Sequence, residues 1–275
     1  MMQCRFVKRS PFRIFLGRKW FTLKRYVEWC TNSKKYAKTR AAALLPEVVF
    51  THKTPLVRQL DKVDMWMQHN KIINLRIAAK KLDGVMIYPG ETFSYWRLIG
   101  KPTYRKGYVD GMVLVNGKVS SGVGGGLCQM SNLIYWMTLH TPLTVTERYR
   151  HSHDVFPDSG RTQPFGSGAT CVYNYIDLQM LNETDMPYQL HVYLTDSHLV
   201  GEWRAVKPTG RHFEVYEKKH WITHEFWGDY MRHNIIFRRV YNASKELIAD
   251  EYITENHAVM MYSPFLAEAN ETCES

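Results

Sequence analysis

Between residues 127 and 140 the chain holds neither proline nor glycine, and apolar residues fall at 127, 130, 133, 134 and 137. That spacing marks one face of a helix. Ile72, Leu75, Ala79 and Leu82 repeat at intervals of 3, 4 and 3, and Gly84 supplies the stop for a second helix. Elsewhere the period shortens to two. Residues 85–88 read as a short strand closed by Pro89-Gly90, and 112–115 and 118–120 form a hairpin across Asn116-Gly117, a pair suited to a type I′ turn. Residues 143–147 alternate. Residues 169–173 are expected to pair with 176–181 across Asn174-Tyr175, and 188–195 with 198–206 around Asp196-Ser197. Runs at 213–217, 235–241 and 258–262 extend the β character, while residues 1–60 look helical and irregular, with breaks at Pro11, Pro46 and Pro55. The expectation is an α+β fold with N-terminal helices, one helix carrying Cys128 after a glycine-rich turn, and a mostly antiparallel sheet. Three segments are expected: a basic, aromatic-rich arm over 1–60, a central domain over 61–205 and a β-rich extension over 206–275.

Charge sharpens this division. The chain carries a net +10, but residues 1–40 hold twelve Lys/Arg against the single acid Glu28, and the remainder is −1. The arm interleaves these cations with Phe6, Phe12, Phe15, Trp20, Phe21, Tyr26 and Trp29. Such a mixture suits an anionic membrane surface or simple packing on the domain. Nucleic acid, attracted by the same charge, is the less favoured partner. The longest apolar run, 41–50, is broken by Pro46 and Glu47, so no membrane span is expected. Residues 11–23 are cut by Arg13, Gly17, Arg18 and Lys19, so no cleaved signal is expected either. Cysteines at 4, 30, 128, 171 and 273 are odd in number and form no CxxC pair, which fits a reducing compartment. The expected location is cytoplasmic, or peripheral on the inner membrane face.

Candidate chemistry gathers around 122–132, Gly-Val-Gly-Gly-Gly-Leu-Cys-Gln-Met-Ser-Asn. Cys128 falls in the first turn of its helix, where free N–H groups and the helix dipole favour a thiolate. A buried structural cysteine beside a tight turn is the alternative. A phosphate cradle is disfavoured, because the run lacks the Lys-Ser/Thr of a P-loop and no dinucleotide fingerprint is present.

The motif continues through His140-Thr141-Pro142-Leu143-Thr144-Val145-Thr146-Glu147-Arg148 and His151-Ser152, then Gly166, Ala169-Thr170, Ile176-Asp177-Leu178 and Asn182-Glu183-Thr184. With Ala78-Ala79-Lys80-Lys81-Leu82-Asp83-Gly84 and Pro89-Gly90-Glu91-Thr92-Phe93-Ser94 upstream, the chain resembles the VanW family from about residue 60 to about 205. The family takes its name from an accessory protein of vancomycin-resistance clusters. The resemblance implies a role in cell-wall metabolism and, as in some cell-wall proteins, a cysteine-dependent L,D-transpeptidase chemistry on peptidoglycan.

In that chemistry Cys128 is the nucleophile and His151 the base and then the acid. The strand at 143–147 returns the chain from the helix toward His151, which also stands where the family motif has its histidine. Backbone N–H groups at Gly124, Gly125, Gly126, Leu127 and Cys128 are candidates for an oxyanion site. Gln129, Ser131 and Ser152 are candidates for substrate binding, the first two competing with plain helix-surface roles. Glu147 either orients His151 or forms an internal ion pair. Asp177 is expected to stabilise the fold and Cys171 to be core. Where the family usually has an acid, before the Ala-Thr pair, this chain has Gly168; if that acid orients the histidine, either another partner such as Asp158 or Asp177 serves here or the activity is lost. Cys128, His151, His153 and Cys171 offer zinc-ligand types but no short paired spacing, so no metal and no cofactor are expected. The expected partner is a peptidoglycan stem peptide or precursor. The rival reading is a non-catalytic accessory or binding protein at the inner membrane surface.

Overall fold

The computed structural model describes residues 10–31, 34–57, 64–115, 117–155 and 163–262. Helix α1 (Pro11–Cys30) opens the fold, with Ser10 capping the Arg13 N–H. Strands β1 (Lys35–Tyr36) and β2 (Glu47–Pro55) follow, then helix α2 (Met65–Leu82), β3 (Val85–Ile87), β4 (Glu91–Ser94) and the short α3 (Tyr95–Ile99). The hairpin β5 (Asp110–Val115) and β6 (Lys118–Val123) leads into α4 (Cys128–Leu139). Next come β7 (Thr144–Glu147), β8 (His153–Asp154), β9 (Gln179–Leu181), β10 (Tyr188–Leu194) and β11 (His198–Ala205). Three long strands finish the chain: β12 (Arg211–His224), β13 (Tyr230–Asn242) and β14 (Leu247–Met260). This is the α+β class expected from the pattern. No described helix is long and apolar enough to cross a membrane.

The core forms where α4 lies on the sheet ordered β2-β11-β10-β3. Met130, Leu133, Ile134 and Met137 of α4 are buried. The Met137 side chain lies over Gly201 of β11, where a Cβ would stand 2.6 Å from its terminal methyl. Trp203, fully buried on β11, donates its indole N–H to Thr138 Oγ1 at 3.1 Å. A second sheet, β1-β4-β9-β7, carries Phe93 and Met180 into the same cluster. Helix α2 buries Leu75, Ala78, Ala79 and Leu82, and also the polar Gln68, Lys71 and Asn74. The buried polar set faces the glycine turn.

The third sheet, β12-β13-β14-β8, joins the last three strands to the segment that carries His151. β14 runs parallel to β8, with Val259 opposite His153 and Met260 opposite Asp154. Val259 N–H donates to the Ser152 carbonyl at 3.0 Å, and Arg150 donates to the His257 carbonyl at 2.9 Å. Apart from β14–β8 and β1–β4, the described strand pairings are antiparallel.

Two local expectations are corrected. Residues 47–55 are a strand rather than an irregular stretch: β2 is an edge strand on β11, so its exposed positions Val48, Thr51 and Lys53 need no apolar pattern. The hairpin expected over 169–181 reduces to one bridge, Val172 with Ile176, because β9 pairs instead with β4 and β7. The hairpins read over 112–120 and 188–206 form, as β5–β6 over 110–123 and β10–β11 over 188–205, although Asn116 lies outside the described residues.

Candidate functional site

The glycine turn is built by close backbone approach. A Cβ on Gly125 would stand 2.1 Å from the Gly111 carbonyl carbon of β5, and one on Gly126, whose φ is +87°, would stand 2.2 Å from the Lys71 side chain. No other residue fits either place. Asn74 of α2 locks the arrangement. Its amide donates to the Val109 carbonyl at 3.0 Å and to the Gly125 carbonyl at 2.9 Å, while its oxygen accepts the Val109 N–H at 2.9 Å. Asn74 is fully buried, and sequence reading passed over it as one polar residue inside a helix.

Most of the turn's donors are already in use. Gly124 N–H donates to the Val109 carbonyl, Gly125 to Gly122, Gly126 to Met112 and, at 3.4 Å, Leu127 to Gly124. Among the described residues the Cys128 N–H has no hydrogen-bond partner, as befits the first residue of α4. The Leu127 carbonyl just before it accepts from the hydroxyl of Tyr95, a fully buried residue that fixes the helix start.

The Cys128 thiol donates to the Cys171 carbonyl at 3.7 Å. Part of the residue remains at the surface. Dense packing around the sulfur nevertheless pushes the thiol above the ordinary cysteine value. This reverses the thiolate expected from the helix terminus: a helix start contributes at most about 1–2 kcal/mol to an anion, and desolvation outweighs it here. Cys171 is buried, as read from its strand context, and burial raises its thiol further, with Cys128 adding to the effect.

His151 lines a cavity of about 160 Å³ with Leu114, Gly117, Arg150, Ser152, His153 and Val155. Burial, and then the neighbouring Arg150 and His153, push its imidazole below the ordinary value, so it stays neutral near pH 7. Among the described residues no hydrogen bond joins His151 to Cys128 or to Glu147. Ser152 contacts His153 Nδ1 through its hydroxyl at 2.9 Å. Ser131 is fully buried and bridges the Cys128 and Ala169 carbonyls at 3.1 and 2.7 Å. Gln129 donates its amide to Thr54 Oγ1 and the Pro55 carbonyl, both at 2.9 Å, tying α4 to the end of β2.

Of the two roles expected for Glu147, the geometry gives the ion pair. Arg25 of α1 donates to both its carboxylate oxygens, at 2.8 and 2.5 Å, and one of these oxygens also accepts the Asp177 N–H at 3.1 Å. Arg25, 122 residues away in sequence, leaves no local signal. Asp177 is fully buried and accepts from Ser94 Oγ, the Trp96 N–H and the Leu178 N–H, at 2.6, 3.0 and 2.9 Å. Burial pushes its carboxyl up to about 6. Asp158 lies outside the described residues. Gly168 has a steric explanation: a Cβ there would stand 2.7 Å from Asn132 Oδ1, the group that accepts the Ala169 N–H. Among the described residues no group of three or more His, Cys, Asp or Glu comes together to hold a metal ion.

The family model described as VanW like protein matches residues 70–204, the span from α2 to β11. The chain is 33% identical to the vancomycin B-type resistance protein VanW of Enterococcus faecalis (strain ATCC 700802 / V583) over 98% of its own length and the whole of that protein. It is 32% identical to the uncharacterized protein YoaR of Bacillus subtilis (strain 168) over 42% of this chain and 36% of that one. No solved structure gives a match. Identity along nearly the full length, together with the matched glycine–cysteine turn and its helix, shows that the chain belongs to the VanW family.

Proposed function

We propose that this protein acts in cell-wall metabolism linked to glycopeptide resistance, and that Cys128 carries acyl groups of peptidoglycan stem peptides. The observation that supports this reading most is the start of α4. There the Cys128 sulfur lies at a partly exposed residue whose own N–H has no partner among the described residues. A nucleophile and a donor for the developing oxyanion thus belong to one residue.

In the proposed cycle the sulfur attacks an amide carbonyl of the stem peptide, and its proton passes to neutral His151. The carbon–nitrogen bond then breaks, His151 protonates the departing amine, and a thioester remains on Cys128. A second amine attacks the thioester, forms the new amide and returns its proton through His151 to the sulfur. His151 would have to meet Cys128 in the substrate complex, where catalytic hydrogen bonds commonly tighten.

A second reading, a non-catalytic accessory protein, is favoured by the raised thiol and by the missing Cys128–His151 hydrogen bond. Muropeptide profiling of glycopeptide-challenged cells separates the two. Cys128→Ala that folds normally yet abolishes the protein-dependent change in cross-links supports acyl transfer. An unchanged profile supports the accessory role.

A further inference from the structure

Helix α1 meets the domain near its C-terminal end, through Arg25 and Trp29 and also through a Phe21–Tyr175 ring contact and a Tyr26–Tyr173 hydroxyl contact at 2.8 Å. Arg25 and Trp29 are its buried residues, and both lie near its C-terminal end. Over residues 11–24 no side chain is buried. At 100° per residue, Phe15, Tyr26, Phe12, Leu23, Leu16, Val27 and Trp20 fall in a continuous arc of about 140°, centred about 130° from the buried edge. The arc is in solvent: Phe12 is 70%, Trp20 64% and Leu23 57% exposed. Arg13 and Lys24 border it on one side, whereas Arg18 falls on the azimuth of the buried edge. Lys19, the one cation within it, lies over the Phe15 ring at 5.5 Å. The chain carries no acid before Glu28.

We propose that this stripe docks on an anionic lipid surface, with α1 lying in the plane of the interface. Apolar side chains enter the acyl boundary, while Arg13, Lys19 and Lys24 reach phosphate headgroups. The charge decides between occupants. A second copy would bring the same cations against these, and like charges across an interface oppose association. An anionic surface neutralises them. The Arg25–Glu147 pair holds the helix to the domain from the opposite side, and of the arc only Tyr26, at its margin, also touches the domain, through Tyr173. This inference is independent of the chemistry assigned to Cys128.

Co-sedimentation of the full chain with vesicles tests it, comparing pure phosphatidylcholine with vesicles of about one-third phosphatidylglycerol. The expected result is partition onto the anionic vesicles at least about tenfold above the neutral ones, falling about fivefold for each cation removed in an R13Q/K24Q series. A Phe12→Ser, Trp20→Ser, Leu23→Ser variant is expected to lose binding at least about tenfold while keeping the wild-type thermal midpoint. Wild-type protein that stays in the supernatant, or an apolar variant that binds as well as wild type, overturns the proposal. If unbound wild type also doubles its mass with concentration, and the apolar variant does not, the stripe belongs to a second copy.

Discussion

Gly125→Ala places one methyl group where the fold has no room. Its Cβ would stand 2.1 Å from the Gly111 carbonyl carbon and 2.2 Å from the oxygen, against the 3.4 Å at which ordinary contact begins. Both sides of this contact are backbone, so no side chain can turn away, and the turn must move from β5 by more than an ångström. That movement stretches the Asn74–Gly125 bond and the Gly126–Met112 bond, both 2.9 Å. Overpacking costs about 1–3 kcal/mol and an orphaned buried polar group another 1–3, so the expected loss is about 4 kcal/mol. Gly90→Ala is the matched control. Its Cβ meets nothing within 4 Å, and only the φ of +75° is strained. It should cost about 1 kcal/mol. Urea unfolding followed by tryptophan fluorescence and circular dichroism measures both. A Gly125→Ala loss below about 1 kcal/mol, or equal losses at the two sites, would refute the close-approach account of the glycine turn.

Two further outcomes follow from buried charge. Glu147→Gln removes the bidentate partner of buried Arg25, which keeps Glu28 at 3.1 Å, and should cost about 1–2 kcal/mol. It should also loosen α1 and speed trypsin cleavage at its already exposed Arg and Lys sites, which unchanged proteolysis would contradict. His140, stacked 3.9 Å from Phe50, is pushed down to about 4 by burial. Because the unfolded chain then takes a proton that the folded chain refuses, this contribution to stability is complete above about pH 6.5 and is lost as pH falls toward 4. At pH 5 the loss is about 2 kcal/mol, so His140→Phe should gain about that much relative to wild type between pH 8 and pH 5. Asp177, raised to about 6, acts in the opposite sense between about pH 4 and 6, so only the difference between variant and wild type isolates His140. Parallel stability curves would contradict the burial of a neutral imidazole.

What could be read from the residues was local. The face 127–130–133–134–137 gave α4, and alternation on both sides of Asp196-Ser197 gave the β10–β11 hairpin. β2 escaped because an edge strand tolerates polar residues on its open side. The last three strands run well beyond the short apolar windows that announced them. Their remaining positions mix apolar with many polar residues, some on exposed faces such as Lys218 and Lys219 and some buried such as Arg232, His233, Asn234 and Asn256, so no clean alternation announces the strands. At the site, the glycines and Cys128 were legible as a motif, but the partners that fix them were not. Asn74, Tyr95 and Arg25 act across 51, 32 and 122 residues. The thiol was misjudged for a related reason. Helix position is written in sequence, whereas the desolvation that raises the thiol depends on how the folded chain packs around the sulfur.

The central claim is that Cys128 carries an acyl group. Purified full-length protein, incubated with a synthetic stem peptide and no acceptor amine, should gain the acyl mass on Cys128 by peptide mass spectrometry. Hydroxylamine should remove the adduct, and His151→Gln should slow its formation by about 100-fold or more. No adduct on Cys128 from the folded protein, or one formed equally fast without His151, contradicts the account.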